Sequence, residues 1–270
     1  MRRKICVFIL CIYYFTSAIY CKNTIDLRNA KDFSSQIIEK IGSGKIVFIG
    51  EKHSDIRPIL LLTKNLESFY KAGVRYIFLE EEEDYYLDEN CDLNIFIYPP
   101  WGTWGQKYEY LLFEKEIKRL NEKYKNDPFV VIWPETEYDF YSDPLKYDMY
   151  HVLNMRDSTS QNKIIEIMDS TDKKGLILYG DGHGIKTPQY DEEKKCWYPL
   201  GSYLDEHYGN AFITYKFFGD FSSDSTNKVI YNNENDCKIL PEILIDKWVN
   251  EYNFINEYDY YCVYNQPVWG

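Results

Sequence analysis

The feature that most narrows the folding options is a pattern used four times: a short apolar run that leads straight into carboxylates or an imidazole. It is clearest in Lys45–Asp55, KIVFIGEKHSD, where Ile46, Val47, Phe48 and Ile49 meet Gly50 and then Glu51 and His53. A continuous apolar run of this length, closed by glycine, reads as a strand buried on both faces. Ser54 or Asp55 can cap the helix that follows, and Pro58 suits its first turn. The pattern returns in Val74–Leu79, which runs into Glu80 and its acidic neighbours, and in Phe129–Trp133, followed by Glu135, Glu137 and Asp139. It returns again in Gly175–Tyr179, followed by Gly180, Asp181, Gly182 and His183.

Helical spacing fills the gaps. Ile59, Leu62, Leu66 and Phe69 form one stripe over Ile56–Ala72, with Gly73 as terminator; Glu109–Lys125 is a second helix. Ser142-Asp143-Pro144 announces a third, from Leu145 to about Met168, with Arg156 on its apolar stripe. A guanidinium against a core needs a carboxylate or an anion, and Glu51 and Glu80 are the candidates. Strand, helix, strand with short links makes right-handed parallel crossovers. The expected fold is therefore α/β, a mainly parallel central sheet with helices on both faces, its site at the carboxyl edge of the strands. Leu200–His207 reads as a short helix, Ala211–Phe218 and Lys228–Tyr231 as further strands, Pro241–Tyr252 as helical, and Tyr258–Gly270 as an aromatic loop. Residues 85–108, which hold Trp101 and Trp104 in YPPWGTWG, read as a long binding loop or lid.

The chain has 270 residues and a formal charge of −12. No basic face is available for a nucleic acid or an anionic membrane surface, so partners are expected among small molecules or peptides. The opening MRRKICVFILCIYYFTSAIYC has a basic start and then apolar residues, the outline of a secretory signal or N-terminal anchor. Cys21 is a candidate lipidation site. The expected organisation is a signal or anchor over 1–21 and one α/β domain over 22–270, with a motif-bearing core over about 45–186 and an extension over 187–270. Export to a periplasm, the medium or a membrane-anchored lipoprotein state follows, with the membrane touched only through the N-terminal segment. Cys91, Cys196, Cys237 and Cys262 remain beyond the signal; disulfides and free buried thiols are both open.

Carboxylates and imidazoles gathered at one sheet edge support two chemistries. One is a mixed N/O metal site for Zn, Mn or Fe, with Glu51, His53, Glu80 and His183 as ligands. The other is general-base hydrolysis, with Glu51 orienting His53 and Arg156 stabilising the oxyanion. His151 and His207 fall on helices and carry no such expectation.

These residues also carry a resemblance. Gly50-x-x-His53 after one strand, Gly180-x-x-His183 after another, Glu80 between them and an Arg156-Asp157 pair on a helix resemble the erythromycin-esterase/ChaN/Tiki-TraB superfamily, over roughly Lys45–Lys186. The form GEKHSD is closest to ChaN-type haem-uptake lipoproteins. The resemblance implies an α/β fold and a pocket built from both histidine motifs and Glu80. It also implies hydrolysis in several branches: Tiki-like members are metal-dependent peptidases, erythromycin esterases open a macrolactone, and ChaN-like members are linked to haem binding. Glu51, His53, Glu80, Arg156 and His183 carry over as site residues. The leading expectation is an exported ester or peptide hydrolase in which Glu80, Arg156 and His183 hold and polarise the substrate. Its rival is a haem- or iron-binding uptake protein without catalysis. A degenerate fold kept as a surface protein is the third reading.

Overall fold

The computed structural model describes residues 31–51, 57–80, 107–135, 149–190, 194–218, 228–231 and 258–263. The strand that opens the pattern, β2 (Ile46–Glu51), is buried along its whole length. It sits between two parallel neighbours, β5 (Lys174–Gly180) and β8 (Phe212–Phe218). Beyond β5 lie β3 (Val74–Leu79) and then β4 (Val130–Ile132), both parallel. Beyond β8 come β10 (Tyr260–Val263), parallel to it, then β9 (Lys228–Tyr231) and β1 (Lys31–Asp32), each antiparallel to its inner neighbour. The eight-stranded order is β1-β9-β10-β8-β2-β5-β3-β4.

Alternation along each strand sends side chains to two separate cores. Val47 and Ile49, with Leu176, Leu178, Ile213 and Tyr215, pack beneath α1 (Phe33–Ser43), α2 (Arg57–Lys71) and α3 (Lys107–Lys123). Ile46 and Phe48, with Ile177, Tyr179 and Phe212, pack beneath α4 (Met149–Asp169) and α5 (Leu200–Tyr208). Ile59, Leu62, Leu66 and Phe69 of α2 are fully buried, as the 3–4 spacing requires. Each such side chain contributes about 1.5–3 kcal/mol of burial. Gly73 ends α2 in a left-handed conformation (φ 103°) that a side chain would resist.

The α/β class and the helices on both faces agree with expectation. Two assignments change. The tail read as an aromatic loop supplies β10, because Tyr260, Tyr261, Cys262 and Val263 are strand-forming residues that pair on both sides. Outside the main sheet, a short hairpin of β6 (Gln189–Tyr190) and β7 (Cys196–Trp197) follows His183. Two-residue strands leave no periodicity to read. The region beyond residue 186 also places β8 in the middle of the sheet, beside β2. Cys196 has a free thiol. His53, Ser54, Asp55, Cys91, Trp101, Trp104, Glu137, Asp139, Ser142-Asp143-Pro144, Cys237 and the segments 1–21 and 241–252 lie outside the described residues. Among the described residues no helix is long and apolar enough to cross a membrane.

Candidate functional site

Three neighbouring strands end together. Glu51 is the last residue of β2 and is in register with Gly180, the last of β5; Glu80 follows β3, whose Leu79 is in register with Leu178. Glu80 is buried (8% exposed), and one of its oxygens accepts the Gly180 N–H across the strand ends. Its other oxygen lies 3.2 Å from Arg156 Nη2 and 3.4 Å from His183 Nε2. Arg156 reaches in from α4. It also grips Glu135, just beyond β4, through Nε and Nη2, both at 2.9 Å. A planar guanidinium donating in this two-pronged way holds a carboxylate in a defined plane.

His183 lies in the 3-10 turn Asp181–Gly184 that closes β5 and is buried (7% exposed). Its Nδ1–H donates to Asp157 Oδ1 at 2.6 Å, and Asp157 itself is 1% exposed. The second Asp157 oxygen accepts the Trp197 indole N–H at 2.6 Å. The imidazole is thus strung between two carboxylates, Asp157 on one nitrogen and Glu80 on the other. Burial alone would lower its pKa, but Asp157 and Glu80 together lift it to about 10, so His183 is an imidazolium at neutral pH. Burial, reinforced by the nearby Glu80 charge, pushes the Glu135 carboxyl up to about 7 against the opposing pull of Arg156. Arg156 stays charged: burial opposes its charge, but Glu135 and Glu80 raise its pKa further.

Of the expected site residues, Glu80, Arg156 and His183 come together. Glu51 shares the edge and is buried (4% exposed), but alternation puts it on the side of Val47 and Ile49, facing the α1–α3 layer rather than α4. His53 lies outside the described residues, so its pairing with Glu51 stays an expectation. Arg156 was expected to meet Glu51 or Glu80; it meets Glu80 and Glu135. His151 and His207 are exposed, and His207 pairs with Asp169 at 3.0 Å and meets the Tyr208 ring edge-on.

Three participants had no role assigned from sequence. Asp157 had a signal, since it follows Arg156 in the pair that carries the resemblance. Trp197 had none. Lys216, in the strand sequence FITYKFF, is buried at the carboxyl end of β8, with Nζ 3.2 Å from Asp181 Oδ2 and 5.4 Å from the Tyr258 ring centre. Gly50, opposite Lys216 in register, makes room there: a Cβ would lie 3.1 Å from the Asp181 backbone and 3.2 Å from the Tyr215 carbonyl oxygen.

The described residues are poorly suited to hold a metal. Glu80 and Glu135 give their oxygens to a fixed guanidinium, and His183 gives Nδ1 to Asp157. A divalent ion here would face a permanent positive charge in place of open lone pairs. Among the described residues no three His, Cys, Asp or Glu side chains are grouped to bind one.

No family model and no curated protein sequence matches the chain. Solved structures do. A succinoglycan biosynthesis protein aligns at 10% identity over 90% of this chain and 95% of its own, with a TM-score of 0.57. An erythromycin esterase, EreC, in its open conformation aligns at 10% identity over 85% of this chain and 92% of its own, TM-score 0.53. A haem-binding ChaN of Campylobacter jejuni aligns at 11% identity over 86% of this chain and 92% of its own, TM-score 0.41, too loosely to argue from. At such identities the likeness is one of architecture: the chain shares the α/β fold of the succinoglycan biosynthesis protein and of EreC.

Proposed function

We propose that the protein is an exported hydrolase acting on an ester or peptide bond at the Glu80–Arg156–His183 site. The observation that carries this reading is the buried line Asp157–His183–Glu80, with Arg156 alongside. The His183 imidazolium gives both N–H groups to Asp157 and Glu80 and so acts through its charge, which, with the fixed Arg156 guanidinium, suits the stabilisation of an oxyanion as a tetrahedral centre forms. Their carboxylate partners hold them in place, so little reorganisation accompanies the reaction. The proton of the attacking water passes to a general base, the role assigned from sequence to His53. The N-terminal segment 1–21 supports export through its basic start and apolar run.

The test is a panel of p-nitrophenyl esters and fluorogenic peptides. Wild type should turn over at least one member, and H183Q, which removes the buried charge, or E80Q, which releases His183 and Arg156, should reduce kcat by about a hundredfold or more, the scale of one lost oxyanion-stabilising interaction. H53A should be similarly impaired. Equal rates in wild type and H183Q, or no turnover of any member, would remove the hydrolase reading.

A further inference from the structure

One contact to the site comes from the small β6–β7 hairpin. The indole N–H of Trp197, on β7, donates to the Asp157 oxygen that His183 does not use, and both bonds are 2.6 Å. The indole meets the imidazole edge-on, with ring centres 5.4 Å apart and planes 82° apart. Its position is set by more than side-chain packing. Asn154, one turn before Asp157 on α4, holds the hairpin backbone on either side of Trp197. Its Nδ2 donates to the Cys196 carbonyl at 2.7 Å, and its Oδ1 accepts the Tyr198 N–H at 2.8 Å. Gly182 completes the fit, since a Cβ there would stand 3.1 Å from the indole ring.

One turn of α4 therefore addresses three parts of the molecule: Asn154 the hairpin, Arg156 the carboxylates, Asp157 the imidazole. The terminal torsion of an aspartate is broad and roughly two-fold, so a single hydrogen bond leaves its carboxylate free to swing. A donor on each oxygen removes that freedom.

We propose that Trp197 is a positioning residue, which by pinning one oxygen of Asp157 reserves the other for His183 Nδ1 and so makes the β6–β7 hairpin part of the site. The proposal rests on the Asp157–His183 pair used in the hydrolase reading, but it does not require hydrolysis. A Trp197 that merely packs would leave the Asp157–His183 bond unchanged when its N–H is lost.

The experiment is proton NMR of the full chain, following the downfield imidazole Nδ1–H resonance that H183Q abolishes. W197F keeps a ring and removes the donor; N154L keeps the indole and releases the hairpin. In W197F the resonance should move upfield and exchange with water about tenfold faster or more, the scale of one lost charge-assisted hydrogen bond. N154L should shift it in the same direction by less. A resonance unchanged in position and exchange rate in folded W197F, or absent from wild type, overturns the proposal. If circular dichroism shows W197F unfolded, N154L decides alone: a shift supports, no shift overturns. A response to W197F in a protein that hydrolyses nothing keeps the inference and removes the hydrolase reading. Turnover lost in H183Q with a resonance indifferent to W197F does the reverse.

Discussion

The two ends of the sheet use the same chemistry to opposite effect. At the amino end, Arg75 of β3 donates to Asp127 at 2.7 Å, and Lys173 reaches the same oxygen at 3.1 Å. Arg75 also donates to the Tyr70 and Val74 carbonyls and lies 3.5 Å from the Tyr70 ring centre. Asp127 is 42% exposed; burial pushes its pKa up, but Arg75 and Lys173 outweigh that and hold it below the ordinary carboxylate range. At the carboxyl end, Glu135 is also bonded to an arginine, yet it is pushed up to about 7. The difference is burial and company. Asp127 has two cations and water, whereas Glu135 shares one guanidinium with a second carboxylate in a dry site. A cluster of the first kind fastens a corner of the fold. A cluster of the second kind holds charge in a state that chemistry can use.

Removing each arginine should separate the two roles. R156M leaves Glu135 without its cation and Glu80 with His183 alone, and should cost about 3 kcal/mol in urea unfolding. One carboxyl can relieve that strain by taking a proton, so the loss should be smaller at pH 5 than at pH 8. An equal loss at both would mean the carboxylates are solvated, and the contrast between the ends would collapse.

A subtler effect concerns the imidazole. The folded state holds the His183 proton more tightly than the unfolded chain, with a pKa of about 10 against an ordinary 6.5. Its stabilisation is complete below 6.5 and disappears as pH rises through about 10. Thermal unfolding of wild type should show that decline, and H183Q should lack it. A decline that persists in H183Q would place its source elsewhere.

The smallest change is expected at the amino end. R75M should cost about 1 kcal/mol, because the pair is partly solvated and Asp127 keeps Lys173. Raising the salt should narrow the gap between R75M and wild type. A loss matching that of R156M would show the amino end to be as dry as the carboxyl end.

Most of the architecture was legible in the residue pattern. Val74–Leu79 is a strand over the expected range, and Gly175–Tyr179 is one residue longer at each end. The stripe Ile59, Leu62, Leu66, Phe69 is the buried face of α2. A run that is apolar throughout can hide both faces only inside a parallel sheet, so burial and topology follow together. That Glu80 and His183 would meet was also legible, because strand ends in such a sheet share one edge, and Arg156 on the apolar stripe of its helix needed a carboxylate to meet.

What remained was decided by contacts between residues far apart in the chain. Glu135 became a site residue through Arg156, 21 positions later, and Asp157 through His183, 26 positions later. Glu51 reached the expected edge, but strand alternation turned it toward the opposite layer. Trp197 and Lys216 carry no local mark of their roles. Hydrophobic periodicity records which side of an element is buried, and that much the sequence determined alone. Which buried polar groups meet depends on register, helix rotation and the angle at which a hairpin returns, and only the packed tertiary structure sets those.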